Sequence, residues 1–202
     1  SATSVYGQPV HFTATIAVTA PGAGSPTGFV QFTIDGIAFG EPVAVGGGSA
    51  VSPDLSTLPV GTHSISAMYL GDMNFASSAA PALDQVVNKA FTSLVVTSSQ
   101  NPSPYGLSVL VTATVIGVDP STAIPTSGTV QFIVDGVPYG APVELTPGGT
   151  ASKLLPYTAL WVGTHNITAV YSGNSNFFGI DNIANPYLQV VERGILTITI
   201  TP

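Results

Sequence analysis

The stretch Val30-Gln-Phe-Thr-Ile-Asp-Gly36 decides the fold, because it returns later in the chain as Val130-Gln-Phe-Ile-Val-Asp-Gly136. In the first copy, apolar and polar side chains alternate from Val30 to Ile34, which is the pattern of a strand with one buried face. The Asp-Gly pair that follows favours a tight hairpin turn, since both residue types tolerate positive φ. The stretch therefore predicts a β-hairpin that occurs twice, with turns at Asp35-Gly36 and Asp135-Gly136.

The repeat extends over nearly the whole chain. Tyr6-Gly7 returns as Tyr105-Gly106 at an offset of 99, and Gln85-Val-Val87 returns as Gln189-Val-Val191 at an offset of 104. A few single-residue insertions in loops explain the slow drift of the offset. We therefore predict two homologous domains of about 100 residues each, at 1–88 and 89–193, followed by a short segment at 194–202.

Each copy has the pattern of an all-β domain. The stretches from Phe12 to Val18 and from Ser64 to Tyr69 alternate, and no stretch keeps a helical period. Turn residues recur every ~8–12 residues, the spacing typical of β-sandwiches. We predict two tandem immunoglobulin-like β-sandwiches, joined near Val87–Ala90 by a short semi-rigid linker into an elongated rod.

Composition excludes several classes of function. Charged residues make up 6 % of the chain, against roughly 25 % in a typical soluble domain, and the net charge is −7 with only three Lys and Arg. So few cations cannot neutralise a run of phosphates, which argues against nucleic acid. No apolar run approaches the ~18 residues of a membrane helix, which argues against membrane insertion. Cysteine is absent, which removes disulfides and thiolate chemistry, and the scarcity of Lys and Glu favours an extracellular or cell-surface location.

A longer motif carries a family resemblance. Leu58-x-x-Gly-Thr-His-x-Ile-x-Ala-x-Tyr-x-Gly-Asp-x-Asn-Phe75 returns from Leu160 to Phe177 with Asn174 in place of Asp72. Together with the Asp-Gly hairpin, this pattern resembles the bacterial Ig-like repeat domains, which occur in tandem arrays in secreted and surface proteins. The resemblance covers both copies and implies a structural spacer or adhesion module without shared catalytic residues.

The candidate polar sites have structural explanations. His63 and His165 stand at equivalent places before a strand, where a ring nitrogen that donates to a backbone carbonyl would fix a corner of the sandwich, as a tyrosine does in immunoglobulin domains. Asp72 and Asn74 faintly resemble a calcium loop, but the second copy has lost the charge and a turn stabilised by Asx side chains explains both copies. We therefore expect no catalytic residue, no metal and no cofactor, and we do not expect an enzyme.

Trp161 has no clear counterpart in the first copy. An aromatic ring at one end of a sandwich can bind a sugar, or it can fill a contact between domains. We favour the contact between domains.

The two ends of the chain do not match the two domains. A strand-like stretch from Ala90 to Ser98 precedes the second Tyr-Gly motif, whereas only Ser1 to Val5 precedes the first. The segment Gly194–Pro202 aligns with that stretch at an offset of 104, and its apolar residues Ile195, Leu196, Ile198 and Ile200 fall among threonines. The tail therefore has the pattern of a first strand without a domain, and the first domain is expected to lack its own first strand.

Two interpretations of the tail stay open. The chain is either a two-repeat portion of a longer covalent array, or a subunit whose tail completes the first domain of the next subunit by strand addition. Both predict a structural subunit or repeating segment of an extracellular fibre, stalk or surface array. Its partners are then copies of itself or further Ig-like repeats of the same chain. The alternative is an adhesin or carbohydrate-binding module on the cell surface, with surface glycans as partners.

Overall fold

The computed structural model describes residues 2–201. Apart from one 3-10 turn at Tyr157–Ala159, its regular elements are β-strands, which confirms the prediction of an all-β chain. The chain divides into two compact units, Ser1–Ala90 with Asp119–Thr122 and Phe91–Val118 with Ala123–Pro202. Across residues 2–201 there is no helix with the length and apolar character that a membrane crossing requires.

The first unit is a sandwich of a large sheet and a small one. Its strands are β1 (Ala2–Val5), β2 (Thr13–Thr15), β3 (Phe29–Ile34), β4 (Ile37–Ala44), β5 (Ser49–Val51), β6 (Gly61–Tyr69), β7 (Ser78–Ala79) and β8 (Leu83–Asn88). The large sheet has the order β1-β8-β6-β3-β4, with β7 paired to β6, and the small sheet consists of β2 and β5.

The second unit repeats this plan with one more strand in the small sheet. Its strands are β9 (Thr92–Ser98), β10 (Ser103–Pro104), β11 (Val109–Gly117), β12 (Thr129–Val134), β13 (Val137–Pro138), β14 (Val143–Glu144), β15 (Thr150–Leu155), β16 (Gly163–Tyr171), β17 (Ile180–Asp181) and β18 (Tyr187–Glu192). The large sheet has the order β10-β18-β16-β12-β13, and the small sheet has the order β15-β11-β9.

The residues at the two Asp-Gly turns adopt left-handed backbone conformations. Asp35 and Gly36 have φ of 51° and 80°, and Asp135 and Gly136 have φ of 48° and 82°. Positive φ at both central residues defines the tight turn whose twist matches that of the flanking strands. Each Asp-Gly pair therefore connects two neighbouring antiparallel strands, β3 to β4 and β12 to β13.

The core of each unit lies between its two sheets. In the first unit the buried cluster comprises Val30, Phe32, Ala50 and Tyr69. Val130, Phe132 and Tyr171 are buried at the matching places in the second unit. The alternation read from the sequence thus corresponds to side chains that point into and out of the sandwich.

Residues 2–5 belong to the large sheet of the first unit. Strand β1 pairs in parallel with β8, with Ala2 opposite Gln85. The buried Gln85 side chain donates through Nε2 to Ser4 Oγ at 2.9 Å, and Gln189 does the same to Ser103 Oγ at 3.2 Å in the second unit. Strand β1 is therefore the equivalent of β10, and it is not the equivalent of β9.

Candidate assembly site

The small sheets of the two units differ by one strand. In the second unit, β11 pairs with β15 on one side and with β9 on the other. Strand β2 carries the same Thr-Ala-Thr sequence as β11, but it pairs with β5 alone. Within residues 2–201 no strand occupies the place beside β2 that β9 occupies beside β11.

The open edge of β2 exposes backbone groups. Ile16 N donates to Gly48 O at 2.8 Å, and Phe12 O accepts from Ser52 N at 2.9 Å, so both residues bond towards β5. In an antiparallel ladder, successive residues direct their N–H and C=O groups to opposite sides, so Ala14 also faces β5 and the residues on either side of it face the other way. The backbone groups of Thr13 and Thr15 therefore face the open edge and can bond a further strand.

The two units differ in how deeply the equivalent apolar side chains of β11 and of the β2 region are buried. Val111, Ala113 and Val115 of the second unit are fully buried. Their counterparts Phe12, Ala14 and Ile16 in the first unit are only partly buried. Equivalent apolar side chains are thus covered where β9 is present and accessible where its counterpart is absent.

A cleft of about 450 Å³ lies along the open edge. Residues 10–15 line one side of it, and Phe32, Ile65 and Ala67 of the large sheet line it as well. Its lining contains no Asp, Glu, Lys or Arg, and His11 is the one titratable side chain in it. The first unit therefore presents an uncharged and mostly apolar groove beside unpaired backbone groups, which is the chemistry that an apolar strand requires.

The tail carries the complementary chemistry. Within residues 193–201 the structure assigns no strand, and Ile195, Leu196, Ile198 and Ile200 are 96, 91, 89 and 91 % exposed. A strand forms only when its backbone groups find a partner. The assembly strand that the sequence predicts therefore stays a prediction. The structure shows that its apolar side chains are exposed and available to a second chain.

His63 is held by a carboxylate that sequence reasoning did not pair with it. Its Nδ1 lies 2.8 Å from Asp35 Oδ2 and its Nε2 lies 3.0 Å from Pro59 O. Asp35 Oδ1 also accepts from Ser64 N at 2.8 Å. The hydrogen bond to Asp35 raises the pKa of His63, and the bonds from His63 and Ser64 lower the pKa of Asp35.

The second unit has the same arrangement. His165 is fully buried, with Nδ1 at 2.7 Å from Asp135 Oδ2 and Nε2 at 2.8 Å from Trp161 O. Asn166 N donates to Asp135 Oδ1 at 2.8 Å. In both units the Asp and a backbone carbonyl engage both ring nitrogens, so the ring keeps no nitrogen for activating a nucleophile. The pairs join the Asp-Gly turn to the start of the neighbouring strand.

Both carboxylate oxygens of Asp72 accept hydrogen bonds that stabilise a turn. Oδ1 accepts from the backbone N–H groups of Asn74 and Phe75 at 2.7 and 2.8 Å. Oδ2 accepts from Thr27 N at 2.8 Å and from Thr27 Oγ1 at 2.7 Å. The bonds from Thr27 are the main cause of a lowered pKa of Asp72. Within residues 2–201 no group of three or more Asp, Glu or His side chains lies close enough to hold a metal ion.

The second unit exposes several aromatic rings. Trp161 is 63 % exposed and packs edge-to-face on His165 at 4.5 Å between ring centroids. Tyr105 and Tyr157 are about half exposed and meet edge-to-face at 6.5 Å. Pro59 occupies the position of Trp161 in the first unit, because each supplies the carbonyl that accepts from the histidine.

Comparison with known proteins agrees with the repeat. The family model for the bacterial Ig-like domain (group 3) matches residues 1–88 and 96–185, which confirms the resemblance read from the motifs. A protein from Corynebacterium diphtheriae described as membrane anchored is 14 % identical, with a TM-score of 0.38 over 98 % of this chain and 53 % of its own. The chain thus spans about half the length of that protein. The D0-D1 domain of intimin is 19 % identical, with a TM-score of 0.35 over 94 % of each chain. No curated protein sequence matches this chain.

Proposed function

The chain belongs to the bacterial Ig-like domain family (group 3), and from that premise we propose that it is a structural segment of an extracellular fibre, stalk or surface array. In this role, successive Ig-like units are joined head-to-tail, and the segment 194–202 of one copy completes the open first unit of the next. The partners are other copies or further repeats of the same chain. The role requires no catalysis, metal or cofactor.

One observation carries the proposal. Strand β2 has an open edge beside an apolar cleft, and the aliphatic residues of the tail, which align with β9, are almost fully exposed. An exposed apolar segment and an unpaired sheet edge are both features that natural proteins cover. Joining the two covers both at once.

The contact can repeat from copy to copy, because the tail follows the second unit and the cleft that accepts it lies in the first unit. A tail that occupies another copy's first unit leaves its own first unit open for a third copy. Such a heterologous contact extends into a filament when the rotation between copies does not close a ring. Leu196, Ile198 and Ile200 each contribute about 1.5–3 kcal/mol when buried, so the contact is expected to dissociate slowly.

The test is the assembly state of the full chain over a range of concentrations, measured by sedimentation velocity and electron microscopy. We expect filaments or a ladder of oligomers for the native chain. Deleting residues 195–202 is expected to give monomers. Replacing both Ile198 and Ile200 by Asp is expected to do the same, because it places charges in an apolar groove.

The matched control replaces Thr197 and Thr199 by Asp. It adds the same two charges to the same segment, but on the face that alternation directs away from the core. We expect this variant to assemble. The proposal is wrong if the chain without residues 195–202 forms the same oligomers as the native chain, or if the isoleucine and threonine variants assemble equally.

A second candidate function is an adhesin or carbohydrate-binding module. The exposed rings of Trp161, Tyr157 and Tyr105 favour it, because sugars stack on aromatic faces that remain accessible to solvent. The test is binding of the full chain to an array of surface glycans, compared with a Trp161→Ala variant. Selective binding that this variant loses favours the adhesin, and equal binding by both chains excludes a sugar site at Trp161.

A further inference from the structure

We infer that the cleft beside β2 is a strand-acceptor site for residues 196–201 of a second copy, which enter antiparallel to β2 in one register, with Ile198 opposite Ile16 and Ile200 opposite Ala14. The inference rests on the proposed head-to-tail function and adds the direction and the register of the strand in that site.

The second unit supplies the template, because it contains the same site already filled. Strand β9 runs antiparallel to β11, with Leu94 opposite Val115 and Val96 opposite Ala113. Ile16 and Ala14 are the counterparts of Val115 and Ala113, and the offset of 104 makes Ile198 and Ile200 the counterparts of Leu94 and Val96. Transferring the pairing of β9 onto the first unit therefore defines the register directly.

The tail also matches the inward face of β9. Thr92 and Val96 are each 5 % exposed, Leu94 is partly buried, and Val95 between them is 58 % exposed. The tail places Leu196, Ile198 and Ile200 at the inward positions and threonines at the outward ones. It is thus more apolar than β9 on the face that enters the core and more polar on the face that meets water.

A shift by one residue reverses this match. The side-chain period of a strand is two residues, so a slip by one position would send the threonines into the cleft and the isoleucines into water. No Asp, Glu, Lys or Arg lines the cleft or lies within residues 194–202, so the preferred register buries no ionised carboxylate, ammonium or guanidinium group. The alternation of the tail therefore selects even-numbered residues for the cleft.

Cysteine pairing between two full-length chains tests the register, since the native chain has no cysteine and each introduced thiol is unique. The inferred register sets Thr199 opposite Thr15, at a Cα separation of about 5.5 Å, within the range that a disulfide spans. Chains carrying Thr15→Cys are mixed with chains carrying Thr199→Cys under copper phenanthroline as oxidant. The cross-linked dimer is quantified by mass spectrometry and non-reducing electrophoresis.

The mismatched control mixes Thr13→Cys chains with Thr199→Cys chains, which the inferred register sets two residues apart. We expect at least a tenfold higher yield from the matched pair, and a second matched pair, Thr13→Cys with Thr201→Cys, to cross-link as well. Equal or higher yield from the mismatched pair overturns the register while head-to-tail joining stands. No cross-link in chains that still form filaments overturns the site alone. No cross-link and no oligomers overturn both the site and the proposed function.

Discussion

The Asp35 carboxylate and the His63 imidazole, 28 residues apart in sequence, lie 2.8 Å apart and connect the β3–β4 turn to the start of β6. Pro59 O accepts from the other ring nitrogen at 3.0 Å. Because both partners of the ring are acceptors, the doubly protonated imidazolium donates to both of them, whereas a neutral ring donates to only one. The second unit repeats the geometry with Asp135 and His165. The contact therefore makes the stability of the first unit depend on pH.

The first prediction concerns that pH dependence. The pKa of His63 is raised from 6.5, so its contribution is complete below pH 6.5 and is lost as the pH rises through the raised value. The pKa of Asp35 is lowered from 3.8, so its contribution is complete above pH 3.8 and is lost on acidification. We therefore expect the pair to stabilise the first unit most between pH 3.8 and pH 6.5.

His63→Gln tests this prediction because glutamine stays neutral. The difference in free energy of unfolding between the native chain and this variant is expected to shrink as the pH rises from 6 towards 9. The unfolding of the first unit is followed by its amide NMR signals. Tryptophan fluorescence would not report on it, because the single tryptophan, Trp161, lies in the second unit. A difference that stays constant or grows over that range contradicts the prediction.

The second prediction compares two glycines with left-handed backbones. Gly36, with φ of +80°, has open space where a Cβ would stand, whereas a Cβ on Gly28, with φ of +84°, would lie 2.5 Å from Gly71 O. Gly36→Ala is expected to cost roughly 1–2 kcal/mol for the backbone conformation alone. Gly28→Ala adds a backbone clash and is expected to cost more. Urea unfolding of the two variants measures the difference, and equal costs would contradict the role assigned to the close approach of Gly71.

The third prediction concerns the turn at Asp72. Asp72→Asn keeps an oxygen for the N–H groups of Asn74 and Phe75, as Asn174 does for Asn176 and Phe177 in the second unit. Asp72→Ala removes every acceptor. We therefore expect the alanine variant to lower the Tm of the first unit more than the asparagine variant does.

Calcium provides a control for the same turn. The oxygens of Asp72 already accept four hydrogen bonds, so millimolar calcium is expected to leave the Tm of the native chain unchanged. A calcium-dependent rise that Asp72→Asn abolishes would establish a metal site and contradict this expectation. Because the pKa of Asp72 is lowered, the advantage of the native chain over Asp72→Asn is expected to fall on acidification.

The strand lengths show what sequence alone can predict. Alternation from Phe12 to Val18 predicted a strand there, yet the structure assigns only Thr13–Thr15, while the homologous strand β11 covers Val109–Gly117. The sequence pattern is similar, but β11 is paired on both edges and β2 on one. Alternation thus predicts which face of a strand is buried, and the neighbouring strands decide how far its ladder extends.

The Asp–His pairs show a second limit. The Asp-Gly turns were predicted from local geometry and the histidines from their place before a strand, but the 28- and 30-residue separations of the pairs hid the contact. Only the recurrence of both residues at nearly the same spacing in each repeat signalled it. Contacts that depend on the packing of distant strands need the fold, whereas turns and buried faces are encoded locally.

The last prediction concerns a chain in which the strand that is expected to fill the cleft is fused to the first unit itself. In the alignment of the repeats, Pro202 corresponds to Ser98 and Ser1 to Gln100, so one residue separates the two ends when the copies are placed in series. A chain in which the sequence of Gly194–Pro202 and one added serine precede Ser1, with the original 195–202 deleted, is expected to complete its own first unit.

The added strand would bury the copies of Leu196, Ile198 and Ile200 at about 1.5–3 kcal/mol each, before the entropy of ordering the strand is subtracted. Even a net gain of about 1 kcal/mol raises the Tm of a unit of this size by roughly 4–8 °C. Thermal unfolding followed by NMR measures the Tm of each unit, with the second unit as internal reference. The control carries Asp in place of the copies of Ile198 and Ile200 in the extension and is expected to show no rise, because charges do not enter the apolar cleft. If both extended chains leave the first unit as stable as the unextended chain that also lacks 195–202, the cleft does not accept this strand.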